Sequence, residues 1–273
     1  MVFWTISRSR PNTQPEVFEA GFFLSLILMV AFTVAAELLR PKPEIEDARP
    51  GGLGDFNFPT ATEGRVVPII WGKVSIEAPN VIWYGAFNID PIREKIKTGL
   101  FSSQTVVTGH KYQVGVQAAL CRGEIDGVHS MHIGDELVWS GTTTTGFSID
   151  EPGFHGVEGK GDNGIVMQVD VHTGSDTQAV SDFLKQHQDA GAGTNRTPRY
   201  TGTSYIVIRD KDAAATDGLG AYIGNTPQIK PWRFEVSRYP AIFSGQGAGE
   251  HKINTDDCNP VNVLYEILTN TDW

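Results

Sequence analysis

Histidine is the residue type in this chain best suited to ligating a metal, and two of its seven histidines, His129 and His132, lie close together. On a strand, a spacing of three places two side chains on opposite faces, so this pair cannot converge on one ion. No cysteine stands beside them to complete a zinc site. We therefore expect solvated or hydrogen-bonded histidines here and no metal.

Two loops carry residue types that bind calcium or phosphate in other proteins. The segment RDKDAAATDG (209–218) has acids, but it lacks the glycine and the terminal glutamate at the spacing of an EF-hand loop. The segment GKGDNG (159–164) follows no apolar strand and precedes no helix, unlike a phosphate-binding loop. Both segments are predicted to be surface loops.

The sequence contains no arrangement that indicates covalent or acid–base catalysis. No serine lies in a nucleophile elbow, and no pair of carboxylates has surroundings that would separate their pKa values. Cys121 and Cys258 are far apart and have apolar neighbours, which predicts two reduced thiols. We predict that the protein is not an enzyme and that it holds no cofactor.

The composition favours a β-dominated α+β fold. With 273 residues, 40% of them hydrophobic, the chain can bury a core. Its 30 glycines and 15 prolines are spread along the chain, as expected for many turns between short strands. The formal net charge of -10 and the pI near 5.1 disfavour a surface that clamps nucleic-acid phosphates.

Alternating apolar residues predict the strands. From Tyr112 to Leu120, apolar side chains alternate with small or polar ones, which predicts a strand buried on one face only. Similar alternation predicts strands at 165–171 and 205–209. A further buried strand face is expected from Trp232, Phe234 and Val236.

Two dipeptides of glycine and an acid interrupt the strands. Asp126-Gly127 and Gly134-Asp135 are both flanked by apolar residues, which predicts a tight reversal of the chain at each.

Two helices are expected in the second half of the chain. The first is predicted to begin at Ser175, with Gln178 closing a capping box and Phe183 and Leu184 facing inward. The second is predicted to begin at Asn259, with Pro260 at its first position. Its apolar stripe consists of Val261, Leu264 and Leu268.

The most apolar part of the chain runs from Ala20 to Ala36 and contains no charge. A secretory signal peptide is disfavoured because the region before the apolar run is too long and contains acids. Two alternatives remain open, a membrane anchor and a helix buried among copies of itself. In either case the contact residues are predicted to be Phe22, Phe23, Leu24, Leu26, Ile27, Leu28, Val30 and Phe32.

These features predict four regions. Residues 1–40 form an N-terminal segment with the hydrophobic helix, and residues 41–54 form a linker rich in proline and glycine. Residues 55–240 form the β-rich part, and residues 241–273 a loop and the C-terminal helix.

Five blocks of sequence stand out in the β-rich and C-terminal parts of the chain. They are DFNFPTATEGRVVPIIWGKVSIEAPNVIWYGAF (55–87), YQVGVQAALCRGEIDGVHSMHIGDELVWSG (112–141), YTGTSYIVI (200–208), GNTPQIKPWRFEVSRYP (224–240) and CNPVNVLYEILTNTDW (258–273). Their most specific motifs are P-x-x-x-G, C-x-G-x-I-D-G, P-W-x-F-E-V and N-P-x-x-x-x-Y-E-I-L-T. Taken together and in this order, the blocks resemble the N-terminal part of tail-tip or baseplate hub proteins of long-tailed bacteriophages and gene transfer agents.

The resemblance implies a structural virion protein of the tail tip that is assembled in the bacterial cytoplasm. It implies hub domains of antiparallel strands that form part of a closed homotrimeric ring and close the tail tube. The implied partners are a distal tail or tail tube protein, the tape-measure protein and further tip or fibre proteins, and DNA passes through the ring without specific binding. Family members commonly continue beyond the last block, so receptor binding is expected on another polypeptide.

The apolar segment matches no motif of that family. We predict that residues 20–36 of three copies lie near the ring axis as a bundle, with contact to the host membrane during DNA ejection as a further expectation. The alternative to the tail-tip role is a membrane-anchored or exported bacterial β-protein that uses this segment as its anchor.

Overall fold

The structure is a computed structural model, and it describes residues 16–39, 46–51, 66–97, 103–151, 164–189, 196–225, 229–247 and 249–270. The chain divides into two compact units. One comprises Met1–Asp47 and Glu94–Val106, and the other comprises Ala48–Arg93 and Val107–Trp273.

Strands dominate the described part of the chain, and three α-helices accompany them. The helices are α1 (Glu16–Leu39), α2 (Asp182–Gln188) and α3 (Pro260–Thr269). The strands are β1 (Gly72–Glu77), β2 (Asn80–Lys97), β3 (Ser103–Arg122), β4 (Gly127–Ile133), β5 (Glu136–Thr143), β6 (Gly146–Glu151), β7 (Ile165–His172), β8 (Thr203–Arg209), β9 (Ala221–Tyr222) and β10 (Trp232–Arg238).

The strands form two sheets. The first has the order β1-β10-β4-β5, and the second has the order β2-β3-β8-β7-β6, with β9 pairing with β3 and β7. The pairs β1–β10, β10–β4, β4–β5, β3–β8, β7–β8 and β6–β7 are all antiparallel. The predicted β-dominated fold with antiparallel sheets is therefore confirmed.

The main hydrophobic core takes side chains from both sheets. Val116 and Leu120 of β3 belong to the same buried cluster as Met131 of β4 and Phe234 of β10. A second, smaller cluster lies under α2 and consists of Phe183, Leu184, Tyr205 and Val207.

The second cluster changes the environment of β3. Residues 112–121 are buried without interruption, including the polar side chains of Gln113 and Gln117. A Cβ atom at Gly115 would lie 2.5 Å from Cζ of Phe183, so glycine allows α2 to pack closely on this strand. The prediction that the strand is buried on one face only is wrong, because apolar side chains from α2 cover the second face.

Of the two predicted reversals, one is confirmed. Gly134 has a φ of 61° and, together with Asp135, joins the paired residues Ile133 and Glu136 in a two-residue hairpin. The reversal at Asp126-Gly127 is wrong, because the chain there passes from β3 of one sheet to β4 of the other.

The helix expected from Ser175 begins later. Its N-cap is Ser181, whose side chain accepts a hydrogen bond from the backbone N–H of Leu184. Gln178 is used elsewhere: its Oε1 accepts from the N–H of Gly174 at 2.6 Å, and its Nε2 donates to the carbonyl of Arg199 at 2.8 Å. The predicted capping box is therefore wrong, although Phe183 and Leu184 are buried as expected.

The C-terminal helix begins where the sequence predicts. The side chain of Asn259 accepts from the N–H of Val261 at 3.0 Å, and Pro260 is the first helical residue.

Within the predicted linker, the structure describes residues 46–51. There the N–H of Ala48 donates to the carbonyl of Val107 at 3.0 Å, and that of Gly51 to the hydroxyl of Tyr112 at 2.9 Å.

Several segments for which predictions were made lie outside the described residues. They are residues 41–45, 52–65 and 271–273, and most of GKGDNG.

Candidate interaction surfaces

Helix α1 exposes apolar side chains around its whole circumference. Residues 21–36 are all exposed, and the eight predicted contact residues are among them. No helix in the part of the chain that the structure describes is long and apolar enough to cross a membrane. The large exposed side chains of α1, between 39% and 72% accessible, are Phe22, Phe23, Leu24, Leu26, Ile27, Leu28, Met29, Val30, Phe32 and Val34.

The two hydroxyl side chains of this apolar stretch bond to the helix itself. Ser25 donates to the carbonyl of Phe22 at 2.8 Å, and Thr33 lies within 2.8 Å of the carbonyl of Val30 and 3.0 Å of that of Met29. Each hydroxyl thereby satisfies its donor without water. The surface of α1 between Glu19 and Glu37 thus presents neither a charge nor a hydroxyl donor that requires an external partner.

Helix α3 is fastened to β10 by a buried ion pair. A carboxylate oxygen of Glu266 pairs with Nη2 of Arg238, and the two side chains are only 12% and 6% exposed. The other carboxylate oxygen accepts from Nε1 of Trp71 at 3.3 Å. The guanidinium of Arg238 also lies over the ring of Trp71 and donates to the carbonyl of Ile70 at 3.1 Å. Glu266 is the only charged residue of α3, and its side chain is therefore almost fully buried.

Glycine is required beside this ion pair. Gly123 has a φ of 93°, and a Cβ atom there would overlap the guanidinium of Arg238, lying 2.9 Å from its Cζ. We call Trp71, Gly123, Arg238 and Glu266 the framework cluster.

The remaining surface of α3 is apolar and exposed. The predicted stripe of Val261, Leu264 and Leu268 does not enter the core of the described chain, and Tyr265 and Ile267 are exposed beside it. These five side chains are between 47% and 74% accessible. Of the described residues of α3, Asn262 is buried, where its amide donates to the carbonyl of Ala241 at 3.1 Å.

Two clefts border α3. One, of about 610 Å³, is lined by Glu124, Asp126 and Tyr239 together with Tyr265 of the helix. The other, of about 500 Å³, is lined by Trp71, Cys258 and Pro260 with Leu264 and Ile267. Each cleft thus takes part of its wall from the exposed face of α3.

Of the predicted pair of histidines, His129 is hydrogen-bonded, whereas Nδ1 of His132 is buried without a hydrogen bond. The ring nitrogens of His129 lie 3.1 Å from the hydroxyl of Thr142 and 2.8 Å from that of Ser237. Burial is the main cause that lowers the pKa of His129 below its ordinary value, and the charge of Lys73 lowers it further. In the described ranges, no group of three histidines, cysteines or acids is arranged to hold a metal ion.

The acidic segment 209–218 folds as a turn that uses its own carboxylates. Asp210 accepts from the backbone N–H of Asp212 at 2.7 Å, and Asp217 accepts from that of Ala214 at 3.0 Å. Arg209 pairs with Asp170 of the adjacent strand at 2.7 Å. The acids thus stabilise the loop, which explains their spacing without a bound cation.

The two cysteines lack the surroundings of reactive thiols. Cys121 is fully buried, and burial raises its pKa above the ordinary value although Ser204 hydrogen-bonds to it. Burial is also the main cause that raises the pKa of Cys258. A raised pKa leaves little of the nucleophilic thiolate near neutral pH.

The predicted strand face of Trp232, Phe234 and Val236 lies on β10, and all three side chains are buried. They belong to the main core. Phe234 is paired in register with Ile76 of β1 and Met131 of β4.

Sequence reasoning missed the ion pair of Arg238 with Glu266. A signal was present, because Glu266 is the only charge between Pro260 and Thr269, and a lone carboxylate in an apolar helix is expected to find a buried partner. The sequence did not indicate which of the 22 lysines and arginines that partner would be.

Comparison with known proteins finds similarity among solved structures. No family model matches the chain, and no curated protein matches it. A solved structure titled "Virion of native gene transfer agent (GTA) particle" is similar over 88% of this chain and 42% of that chain, with 19% sequence identity and a TM-score of 0.36. This chain therefore spans less than half the length of the chain that it matches.

Proposed function

We propose that the protein is a structural component of a phage-like virion, located at the tail tip as a hub that closes the tail tube. In this role three copies form a ring through which the tape-measure protein and then DNA pass during ejection. In this role the chain forms the wall of the channel and the contacts between copies, and it catalyses no reaction.

The observation that carries this proposal is the position of the family-like motifs in the fold. Trp71, Gly123, Arg238 and Glu266 each come from a different motif-bearing block, and they meet in the framework cluster. Gly123 and Glu266 are specified residues of the motifs, whereas Trp71 and Arg238 lie in motif-bearing blocks outside the specified positions. The contacts of Trp71 and Arg238 with Glu266 hold α3 against the first sheet. The blocks that carry the resemblance therefore meet at one place in the fold, which supports a shared architecture.

The remaining block is linked to the others by hydrogen bonds. Ser204, in the block at 200–208, donates to the carbonyl of Cys121 at 3.0 Å and accepts from its N–H at 3.2 Å. Asp126 accepts from the N–H of Tyr239 at 2.8 Å, which joins the block at 112–141 to the block at 224–240. These polar groups of the blocks thus hold neighbouring segments of the chain together, as expected of a structural protein.

The sheets supply a reason for assembly into a ring. In the described chain each sheet is open, with β1 and β5 at the edges of one and β2 and β6 at the edges of the other. Open edges expose unpaired backbone groups, which closed rings cover. A symmetric homotrimer would pair such edges between neighbouring copies.

The charge is suited to a channel for DNA. A net charge of -10 repels phosphate, so DNA would slide past the wall without binding to a specific site. The apolar α3 and its two clefts are available for a neighbouring ring or a further tip protein.

Imaging of purified particles tests the proposal. We expect the chain in the particles, as a threefold ring at the distal end of the tail, and tails that fail to assemble when its gene is deleted. Particles that lack the chain, or that contain it as a single copy or a sixfold ring, would contradict the hub role.

A membrane-anchored or exported β-protein is the second candidate, and the exposed apolar surface of α1 is the observation that favours it. Fractionation of producing cells separates the two candidates. Recovery of the chain from membranes and its absence from particles would support the second.

A further inference from the structure

We infer that α1 is a self-association helix, whose exposed apolar residues pack in parallel against the same residues of further copies of this chain. The self-association itself does not depend on the proposed function. Its parallel direction does, because helices related by the rotation axis of a ring point the same way.

The extent of the exposed surface requires a cover. Ten large apolar side chains of α1 are 39% to 72% accessible. At on the order of 100 Å² each, they expose roughly 1,000 Å², compared with about 300–600 Å² for the largest apolar patch of a typical monomer. This also exceeds the about 800 Å² that each partner contributes to a stable interface of standard size. Helix α1 alone can therefore supply the area of a stable interface.

The chemistry of the surface selects the partner. A charged partner would find no opposite charge between Glu19 and Glu37, and a polar partner would find Ser25 and Thr33 already bonded to the helix backbone. The surface offers an equally uncharged helix a continuous apolar contact. A second copy of the chain always presents such a helix, at the same concentration and with the same length.

The exposure of every face of α1 favours more than two copies. A dimer covers one face of each helix, whereas each helix in a bundle of three contacts two others. Since residues 21–36 are exposed without interruption, a larger bundle removes more of this surface from water.

Sedimentation velocity and mass photometry of the purified full-length chain test the inference. We expect one discrete oligomer for the wild type and a monomer for the triple variant Leu26→Asp, Leu28→Asp, Val30→Asp, because each aspartate would place a charge in the apolar contact. The matched control is Val261→Asp, Leu264→Asp, Leu268→Asp, which changes three apolar residues of α3 that are at least as exposed and is expected to leave the oligomer intact. Thermal unfolding and near-UV circular dichroism establish that the β-rich part of each variant is folded.

A crosslinking experiment tests the direction of packing. With Cys258 replaced by serine and Cys121 fully buried, Ala35→Cys provides one accessible thiol near the end of α1. In a parallel bundle the thiols of neighbouring copies are adjacent, and a short bismaleimide joins them. In an antiparallel pair each thiol lies opposite residue 20 of its neighbour, about 20 Å from the second thiol along the helix. Thr201→Cys, an exposed position elsewhere, measures crosslinking by random collision.

Four results would overturn the inference. They are a monomeric wild type, a polydisperse aggregate without a discrete species, an oligomer that survives the α1 substitutions, and crosslinking of Ala35→Cys no higher than that of Thr201→Cys. A chain that is monomeric in buffer but floats with phosphatidylcholine vesicles would identify lipid as the cover instead. None of these results would by itself remove the chain from the virion, so failure here and failure of the hub proposal are distinguishable.

Discussion

Arg238, the last residue of β10, and Glu266 of α3 form an ion pair that is almost completely buried. The carboxylate also accepts from Trp71, so one side chain joins α3 to both β10 and the segment that leads into β1. Such a pair holds the helix in one place, because either charge alone would be buried without its counterion.

Replacing Glu266 with glutamine should therefore be costly. We expect Glu266→Gln to lower the free energy of unfolding by about 3 to 5 kcal/mol, because the Arg238 charge then stays buried without its partner. Equilibrium unfolding in urea measures the change. Glu235→Gln is the control, since Glu235 pairs with Lys73 at 3.0 Å with 38% and 28% of the side chains exposed. It should cost about 1 kcal/mol or less. Equal losses for the two variants would contradict the role of the buried pair.

The close contact at Gly123 predicts a second sensitive position. Gly123→Ala introduces a left-handed alanine and also a Cβ that overlaps Arg238, so we expect a loss of about 2 to 4 kcal/mol. Gly245 has a similar φ of 90°, but a Cβ there would meet nothing within 4 Å. Gly245→Ala should therefore show the backbone strain alone, about 1 kcal/mol. Denaturant unfolding of both variants separates overlap from strain, and a smaller loss at Gly123 than at Gly245 would refute the contact.

Phe234 is expected to be a major determinant of the main core. Its side chain is fully buried between β1 and β4, so Phe234→Ala should lower the free energy of unfolding by about 3 to 5 kcal/mol. Phe22→Ala removes the same atoms from a side chain that is 62% exposed and should leave the unfolding of the β-rich part unchanged. A Phe234→Ala protein with wild-type melting behaviour would show that this face is not buried in solution.

His172 predicts a loss of stability in mild acid. Its ring stacks on Tyr205, and burial lowers its pKa below the ordinary value of 6.5. The unfolded chain then binds the proton more tightly, so stability decreases as the pH falls through about 6.5 and levels off below the lowered pKa of the folded state. One such group contributes at most about 1.4 kcal/mol per pH unit.

The pH profile of a variant isolates this contribution. In His172→Phe the decrease between neutral and mildly acidic pH should be smaller than in the wild type, with the part due to His129 remaining, since its pKa is lowered too. Urea unfolding at a series of pH values measures both profiles. Identical profiles would show that His172 does not titrate differently in the folded and unfolded chains.

Features that depend on neighbours in the chain could be predicted from the sequence. The hairpin at Gly134-Asp135 and the start of α3 at Asn259 and Pro260 are specified by backbone preferences and caps within a few residues, and the structure has both. The β-dominated fold followed from alternation and frequent turn residues, which are also local properties, whereas the antiparallel pairing was expected from the resemblance.

Features that depend on distant segments were decided by the tertiary structure. Gln117 is fully buried because α2 packs over a strand whose alternation indicated one exposed face. Val261, Leu264 and Leu268 share a stripe as predicted, yet a stripe does not tell whether another element covers it, and in the described chain these residues remain exposed. Arg238 and Glu266 are 28 residues apart, and Trp71 is 195 residues from Glu266. Burial and ion pairing arise from contacts between segments that only the folded chain brings together. Local sequence patterns could therefore predict the helices and strands, but not which segments pack against them.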